Sequence, residues 1–297
     1  MRRLLEIIAQ GRARDRKSHP SPRRIRNEAE TGLKIIYKGT DCSVDIVAIH
    51  GDGGHYIDSW THPDGQIFWL RDLLPGIIPQ SRVLSFGYSA SKSEFVPAEE
   101  ICRGLLKGIS EVRQDPSIAR QRPIIFLAHS FGVLLLKAVR RSLQTLLKHV
   151  PANTDAQTLA MSSSEFNSII PSTRGIIFFG SPPNIGHSLQ TLMSSFPLTT
   201  DVMSEPAAGL TAMKEDLTWL QDAESRYNEL EKKGEFEVTY FLESSGERHE
   251  APEAEQKKYT RMRKSHGMMI RFSGADDEDF YLVKERIQQM VTNENLA

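Results

Sequence analysis

The segment PIIFLAHSFGVLLLKAV (123–139) constrains this chain more than any other. Residues 123–130 form an apolar, strand-like run, and a helical pattern starts at Phe131 and continues to about Leu147, leaving no residues for a loop between them. A chain that passes from a buried strand into a helix within one residue forces that residue into a strained turn. Its neighbours two before and two after must then be small. Ala128 and Gly132 stand at those positions around Ser130. Such a turn lifts the Ser130 hydroxyl above the edge of a sheet, with a helix N-terminus behind it that favours developing negative charge. The plainer reading of the same string is a tight turn whose serine only caps the helix.

The rest of the chain supplies the elements of such a sheet. LKIIY (33–37), VDIVAIHG (44–51), RVLSFGY (82–88), GIIFFG (175–180) and FEVTYFLE (236–243) read as further strands. Between 97 and 113, Ile101, Leu105, Ile109 and Val112 recur at helical spacing, with Pro97 suited to the first turn. The stretch 188–231 reads as largely helical, and Phe280, Val283, Ile287 and Met290 mark one face of a last amphipathic helix. Strands alternating with helices predict an α/β protein, with a mostly parallel, doubly wound sheet covered by helices on both faces. Residues 151–172 read as a surface loop or a partly ordered cap, and 244–265, almost wholly polar, as an exposed loop or polar helix. With 297 residues, 39% of them hydrophobic, one large domain over 32–297 is expected after a basic, disordered tail over 1–31.

A formal net charge of −1 gives no reason to expect a nucleic-acid partner. The basic tail, from Arg2 to Arg26, resembles a mitochondrial targeting segment in its arginines, but Glu6 and Asp15 favour a solvated tail. LLEII is too short, and too charged, for the apolar core of a secretory signal. Nothing approaches the roughly eighteen apolar residues of a membrane span, so membrane contact is expected to be peripheral at most. Cys42 and Cys102 make no disulfide framework and no metal-ligand spacing, which fits a reducing compartment. An intracellular, cytoplasmic location is expected, with mitochondrial or endoplasmic-reticulum association as the alternatives.

The chemistry-bearing residues follow from the serine. Acyl transfer needs two donors aimed at a developing oxyanion, and glycines let backbone N–H groups approach closely. The strand 44–49 ends in His50-Gly51-Asp52-Gly53-Gly54. The N–H groups of Asp52 and Phe131 are the candidate donors, supported by Gly51, Gly53 and Gly132, with His50 ordering the loop. Neither G-x-x-x-x-G-K-[ST] nor a helix-leading G-x-G-x-x-G is present to make this loop a nucleotide cradle. A serine nucleophile also needs a base held by an acid, in the chain order Ser, acid, His. Glu243, ending a strand, is the candidate acid, or else an ordinary exposed charge. Only His249 and His266 follow it; His266 leads into the apolar run of SHGMMIRF and is the favoured base. No metal or organic cofactor is implied.

VDIVAIHGDGGH, SRVLSFGYSA, RPIIFLAHSFGV, STRGIIFFGSPP, a strand ending in glutamate, and SHGMMIRFSGADDEDFYLVKERI occur in that order. Together they resemble the eukaryotic serine-active-site lipase-like family of α/β-hydrolases, over roughly residues 32–292. That family extends to relatives of the GPI inositol deacylase and to fungal hydrolase domains joined to NACHT or NB-ARC modules. The resemblance implies the α/β-hydrolase fold, Ser130 as nucleophile, Glu243 as acid, His266 as base and the 50–54 loop as part of the oxyanion hole. It implies a lipid or other carboxylic ester as substrate. Ala128 replaces the first glycine of the G-x-S-x-G pattern, Val133 stands where a second glycine often follows Gly132, and GSPPN (180–184) replaces a common G-T-P-H-R. The family also carries an apolar strand between the acid and the histidine, for which 244–265 has no clear equivalent, so a sheet lacking one late strand is expected. The alternative to an esterase is a weak or inactive hydrolase fold serving in signalling or protein interaction.

Overall fold

The computed structural model describes residues 31–88, 96–114, 122–148, 168–169, 171–180, 218–229, 231, 234, 236–244 and 253–293. The basic tail, His249, most of the segment expected to form a cap and most of 188–231 lie outside the described residues.

Seven strands form one sheet: β1 (Gly32–Lys38), β2 (Val44–Ile49), β3 (Ser81–Gly87), β4 (Ile124–His129), β5 (Thr173–Phe179), β6 (Glu237–Leu242) and β7 (Tyr259–Arg261). Their spatial order is β1-β3-β2-β4-β5-β6-β7. β1 runs antiparallel to β3, and every other neighbouring pair is parallel. The apolar runs form these strands because both faces of the central strands are buried: every residue of β2, β3 and β4 is inside. In β4 the side chains alternate between two cores. Ile124, Phe126 and Ala128 face α1 (Ala98–Val112) and α2 (Phe131–Lys148), together with the helical stretch α3 (218–229). Ile125 and Leu127 face Trp60, Trp69 and the last helix, α4 (Glu278–Thr292). The helices meet the sheet through the periodic residues: Ile101, Leu105 and Ile109 of α1 and Phe280, Val283, Ile287 and Met290 of α4 are all buried. Pro97 is the residue that caps α1, one position before its first turn.

Two charged residues lie inside the central strands, Asp45 of β2 and Arg82 of β3. Asp45 of β2 accepts both Nε and Nη2 of Arg82 at 2.8 Å, Nη1 of Arg113 at 2.6 Å and Nη1 of Arg122 at 3.3 Å. Burying a carboxylate is costly unless it is paired and hydrogen-bonded, and here three arginines pair it. Burial lowers the Arg113 pKa against the opposing pull of Asp45. This cluster ties together the N-terminal ends of β2, β3 and β4, leaving their C-terminal ends for the site.

The polar segment after β6 supplies a late strand after all, and this corrects the expectation of a gap. Tyr240, Phe241 and Leu242 pair with Tyr259, Thr260 and Arg261, and the Met262 N–H donates to the Leu242 carbonyl at 2.8 Å. β7 is an edge strand of three residues with none fully buried, so it leaves no apolar run in the sequence. It is held by backbone pairing and by the stacking of Tyr259 on Tyr240, ring centroids 5.0 Å apart.

Candidate active site

Ser130 adopts φ 54°, a left-handed conformation that an ordinary residue enters at a cost of about 1–2 kcal/mol. Two backbone hydrogen bonds hold it there: its N–H donates to the Phe179 carbonyl of β5 at 3.1 Å, and its carbonyl accepts the Val133 N–H at 3.0 Å. The neighbouring glycine is obligatory. A β-carbon at Gly132 would stand 2.5 Å from the His50 carbonyl oxygen and 2.6 Å from that of Ile49, because the first turn of α2 rests on the end of β2. Ala128, where the commoner pattern has glycine, is accommodated fully buried.

The glycine loop passes directly beside this serine. A β-carbon at Gly51 would lie 2.9 Å from the Ser130 Cβ and 3.1 Å from the His129 Nδ1. Buried His50 bonds through Nδ1 to the Gly51 carbonyl at 2.8 Å. A carbonyl can only accept, so Nδ1 carries the proton, and Nε2 is left to accept the Tyr88 N–H at 3.4 Å. Tyr88 stacks on the His50 ring at 4.3 Å and donates its hydroxyl to the His50 carbonyl at 2.7 Å. Gly53 takes φ 65°, and Asp52 between the two glycines is exposed. Phe131 is the first residue of α2, so its N–H has no partner within the helix.

The acid and the histidine come together from the last two strands. Glu243 directly follows β6, and its Oε2 accepts the backbone N–H of His266 at 3.1 Å. The contact is to the main chain rather than the ring. The His266 carbonyl meets Nε2 of His129 at 3.0 Å, so the main chain of His266 is held on both sides of its Cα. The His266 ring rests over Gly180, where β5 ends: a β-carbon there would stand 2.7 Å from both Cε1 and Nδ1 of the imidazole. Gly180 has φ 68° and donates its N–H to the Phe241 carbonyl at 2.9 Å. Ser130 and His266 thus flank one strand end, the first bonded to Phe179 and the second packed on Gly180. Among the described residues no hydrogen bond joins the Ser130 hydroxyl to His266; such bonds often tighten only when substrate binds.

The loop carrying His266 has the apolar foot that SHGMMIRF implies. Met269, Ile270 and Phe272 are buried, and Met268 is half-buried. Trp69 Nε1 donates to the Ile270 carbonyl at 2.9 Å. Lys264 bridges the Arg271 carbonyl at 2.8 Å and Asp277, the cap of α4, at 2.6 Å. The Lys264 ammonium and backbone donors lower the Asp277 pKa against the opposing effect of burial.

Three residues here escaped the sequence reading. Tyr88 is visible only as the end of a strand, Gly180 only as the first residue of GSPPN, and His129 only as the variable position of the elbow. His129 is buried, and burial first, then the nearby His266, pushes its pKa down to about 3. No group of three or more His, Cys, Asp or Glu that could hold a metal occurs among the described residues.

A mostly parallel sheet in this strand order, a serine elbow at the end of central β4, and an acid and a histidine after the last two strands define the α/β-hydrolase fold. No protein-family model matches the chain. It is similar to Protein SERAC1 of the zebrafish Danio rerio, 23% identical over 245 residues that cover 74% of this chain and 34% of that protein. It is also similar to Protein SERAC1 of Mus musculus, 24% identical over 218 residues, 67% of this chain and 30% of that protein. The chain therefore spans about a third of the length of the curated relatives it matches. Among solved structures, esterase 2 of Thermogutta terrifontis is 14% identical with a TM-score of 0.45, covering 92% of this chain and 98% of that one. A lipase-esterase related protein of Clostridium acetobutylicum is 10% identical with a TM-score of 0.41, covering 88% of this chain and all of that one.

Proposed function

We propose that this protein is a serine hydrolase that cleaves a carboxylic ester through an acyl-enzyme on Ser130. The observation that carries the reading is the left-handed Ser130 elbow, with the glycine loop on one side and the Glu243-held His266 peptide on the other. A strained serine presented against a glycine loop is expensive for a mere helix cap. In the proposed reaction the His266 imidazole takes the Ser130 proton as the oxygen attacks the ester carbonyl. The Asp52 and Phe131 N–H groups stabilise the tetrahedral oxyanion. The protonated imidazole returns its proton to the departing alcohol, and water, activated by the same imidazole, releases the acid and restores the serine. Glu243 fixes the histidine peptide and supplies the negative charge that favours the imidazolium. None of these steps calls for a cofactor.

The proposed substrate class is a lipid or other small carboxylic ester, and no nucleic-acid partner is proposed. Cytoplasmic residence, with at most peripheral contact with a lipid surface, is part of the proposal; no helix among the described residues is long and apolar enough to cross a membrane. The experiment is hydrolysis of p-nitrophenyl esters from acetyl to palmitoyl by the purified chain: saturable turnover of one chain-length range supports the reading, and no turnover of any counts against it. The second reading, a weak or inactive fold used for interaction, is favoured by the missing hydrogen bond between Ser130 and His266. Its former support, the absence of a late strand, is removed by β7.

A further inference from the structure

We infer that His129, the residue before the serine, is a positioning residue that clamps the His266 peptide and ties together the three loops of the site. The inference rests on the serine-hydrolase reading for its catalytic meaning and on geometry for its substance. A carbonyl oxygen only accepts, so the 3.0 Å contact between His129 and the His266 carbonyl requires the proton on Nε2 of His129. Its Nδ1 is then bare and faces the glycine loop, where a β-carbon at Gly51 would approach to 3.1 Å. The backbone of the same residue leads directly into the Ser130 elbow. One side chain therefore contacts the base loop and the oxyanion loop while its main chain fixes the nucleophile.

The clamp completes a pair. Glu243 holds the N–H of His266, and His129 holds its carbonyl, so the main chain of the proposed base is fixed on both sides of its Cα. The two imidazoles lie 4.9 Å apart at 41°, close enough for a charge on one to disfavour a charge on the other. His129 is buried and stays neutral through the working range of an imidazole base. It can therefore fix the main chain of His266 without competing for the proton that His266 takes from Ser130.

Two variants separate this role from packing. His129→Gln keeps a neutral N–H donor of similar reach, and His129→Leu keeps bulk without a donor. With an ester that the parent hydrolyses, His129→Leu is expected to lose about 10²-fold in kcat with little change in KM, since a small misplacement of a catalytic group costs about that much. Its rate of fluorophosphonate labelling should fall in parallel, and His129→Gln should restore most of both. Parental rates in His129→Leu, or equal losses in the two variants, would overturn the assignment while leaving the hydrolase reading intact. If the parent neither turns over esters nor labels, the hydrolase reading fails, and imidazole nitrogen NMR with limited proteolysis decides the clamp. A neutral, Nε2-protonated His129 down to about pH 4, with faster cleavage at 263–272 in the Leu variant only, keeps it. A titrating ring, or equal cleavage in all three proteins, overturns it.

Discussion

Glu243 holds His266 by its main chain: Oε2 of the carboxylate accepts the His266 N–H at 3.1 Å. A glutamine at 243 keeps an oxygen acceptor for that N–H and removes the charge. Glu243→Gln is therefore expected to retain its melting temperature and lose about 10²- to 10⁴-fold in kcat, as when a triad acid is neutralised. Glu243→Ala should lose the loop contact as well. Full activity in Glu243→Gln, measured on the best ester substrate, would show that the charge takes no part.

Gly180 is where the imidazole of His266 needs empty space. Its φ of 68° and the 2.7 Å approach of the ring to any β-carbon make Gly180→Ala both strained and obstructive. The expected outcome is a stability loss of about 1–2 kcal/mol from backbone strain and a kcat loss of about 10²-fold from displacement of the ring. A urea denaturation curve and an esterase assay on one preparation read both. A normal kcat would mean that the ring position does not matter.

The extent to which the site could be read from sequence tracks how local each feature is. The elbow was legible because strand, serine and helix are contiguous and the small residues lie two away on each side. The anchoring of the His266 loop was legible because SHGMMIRF carries its own apolar foot, and Met269, Ile270 and Phe272 are buried as that pattern implies. β7 was illegible because a three-residue edge strand needs only backbone pairing. Asp45 sits inside an apolar run, and its partners Arg82, Arg113 and Arg122 lie 37, 68 and 77 residues away, beyond any spacing rule. His129 carries no local signal between two informative neighbours, since its partner is a carbonyl 137 residues distant.

The arginine cluster around Asp45 makes a stability prediction remote from the chemistry. Asp45→Asn removes the carboxylate charge that pairs with three arginines whose side chains are themselves largely buried. Breaking one side of a buried ion pair costs about 3–5 kcal/mol. The denaturation midpoint should fall accordingly, and a midpoint within experimental error of the parent would refute the pairing.

His129 also imposes a pH dependence on stability. In the fold its pKa is depressed to about 3, with burial as the largest cause and the neighbouring His266, Arg271 and His50 adding to it. In the unfolded chain it takes up a proton near 6.5. Between those values the unfolded chain binds more protons, so stability falls as pH drops from about 6.5 towards 3. From pH 7 to pH 5 the loss attributable to this residue is about 2 kcal/mol. Comparing the parent with His129→Gln isolates it, because the variant lacks this titration. Identical losses in the two proteins would exclude a buried neutral histidine at 129.

Activation of Ser130 is the central claim, and covalent labelling reads it most directly. The parent, treated with a fluorophosphonate probe and digested, is expected to carry the adduct on the peptide containing Ser130. Ser130→Ala should keep the melting temperature of the parent, take up no probe, and lose about 10⁴- to 10⁶-fold in ester hydrolysis. Equal labelling of the parent and Ser130→Ala, or a folded parent that takes up no probe at any pH, would contradict the account.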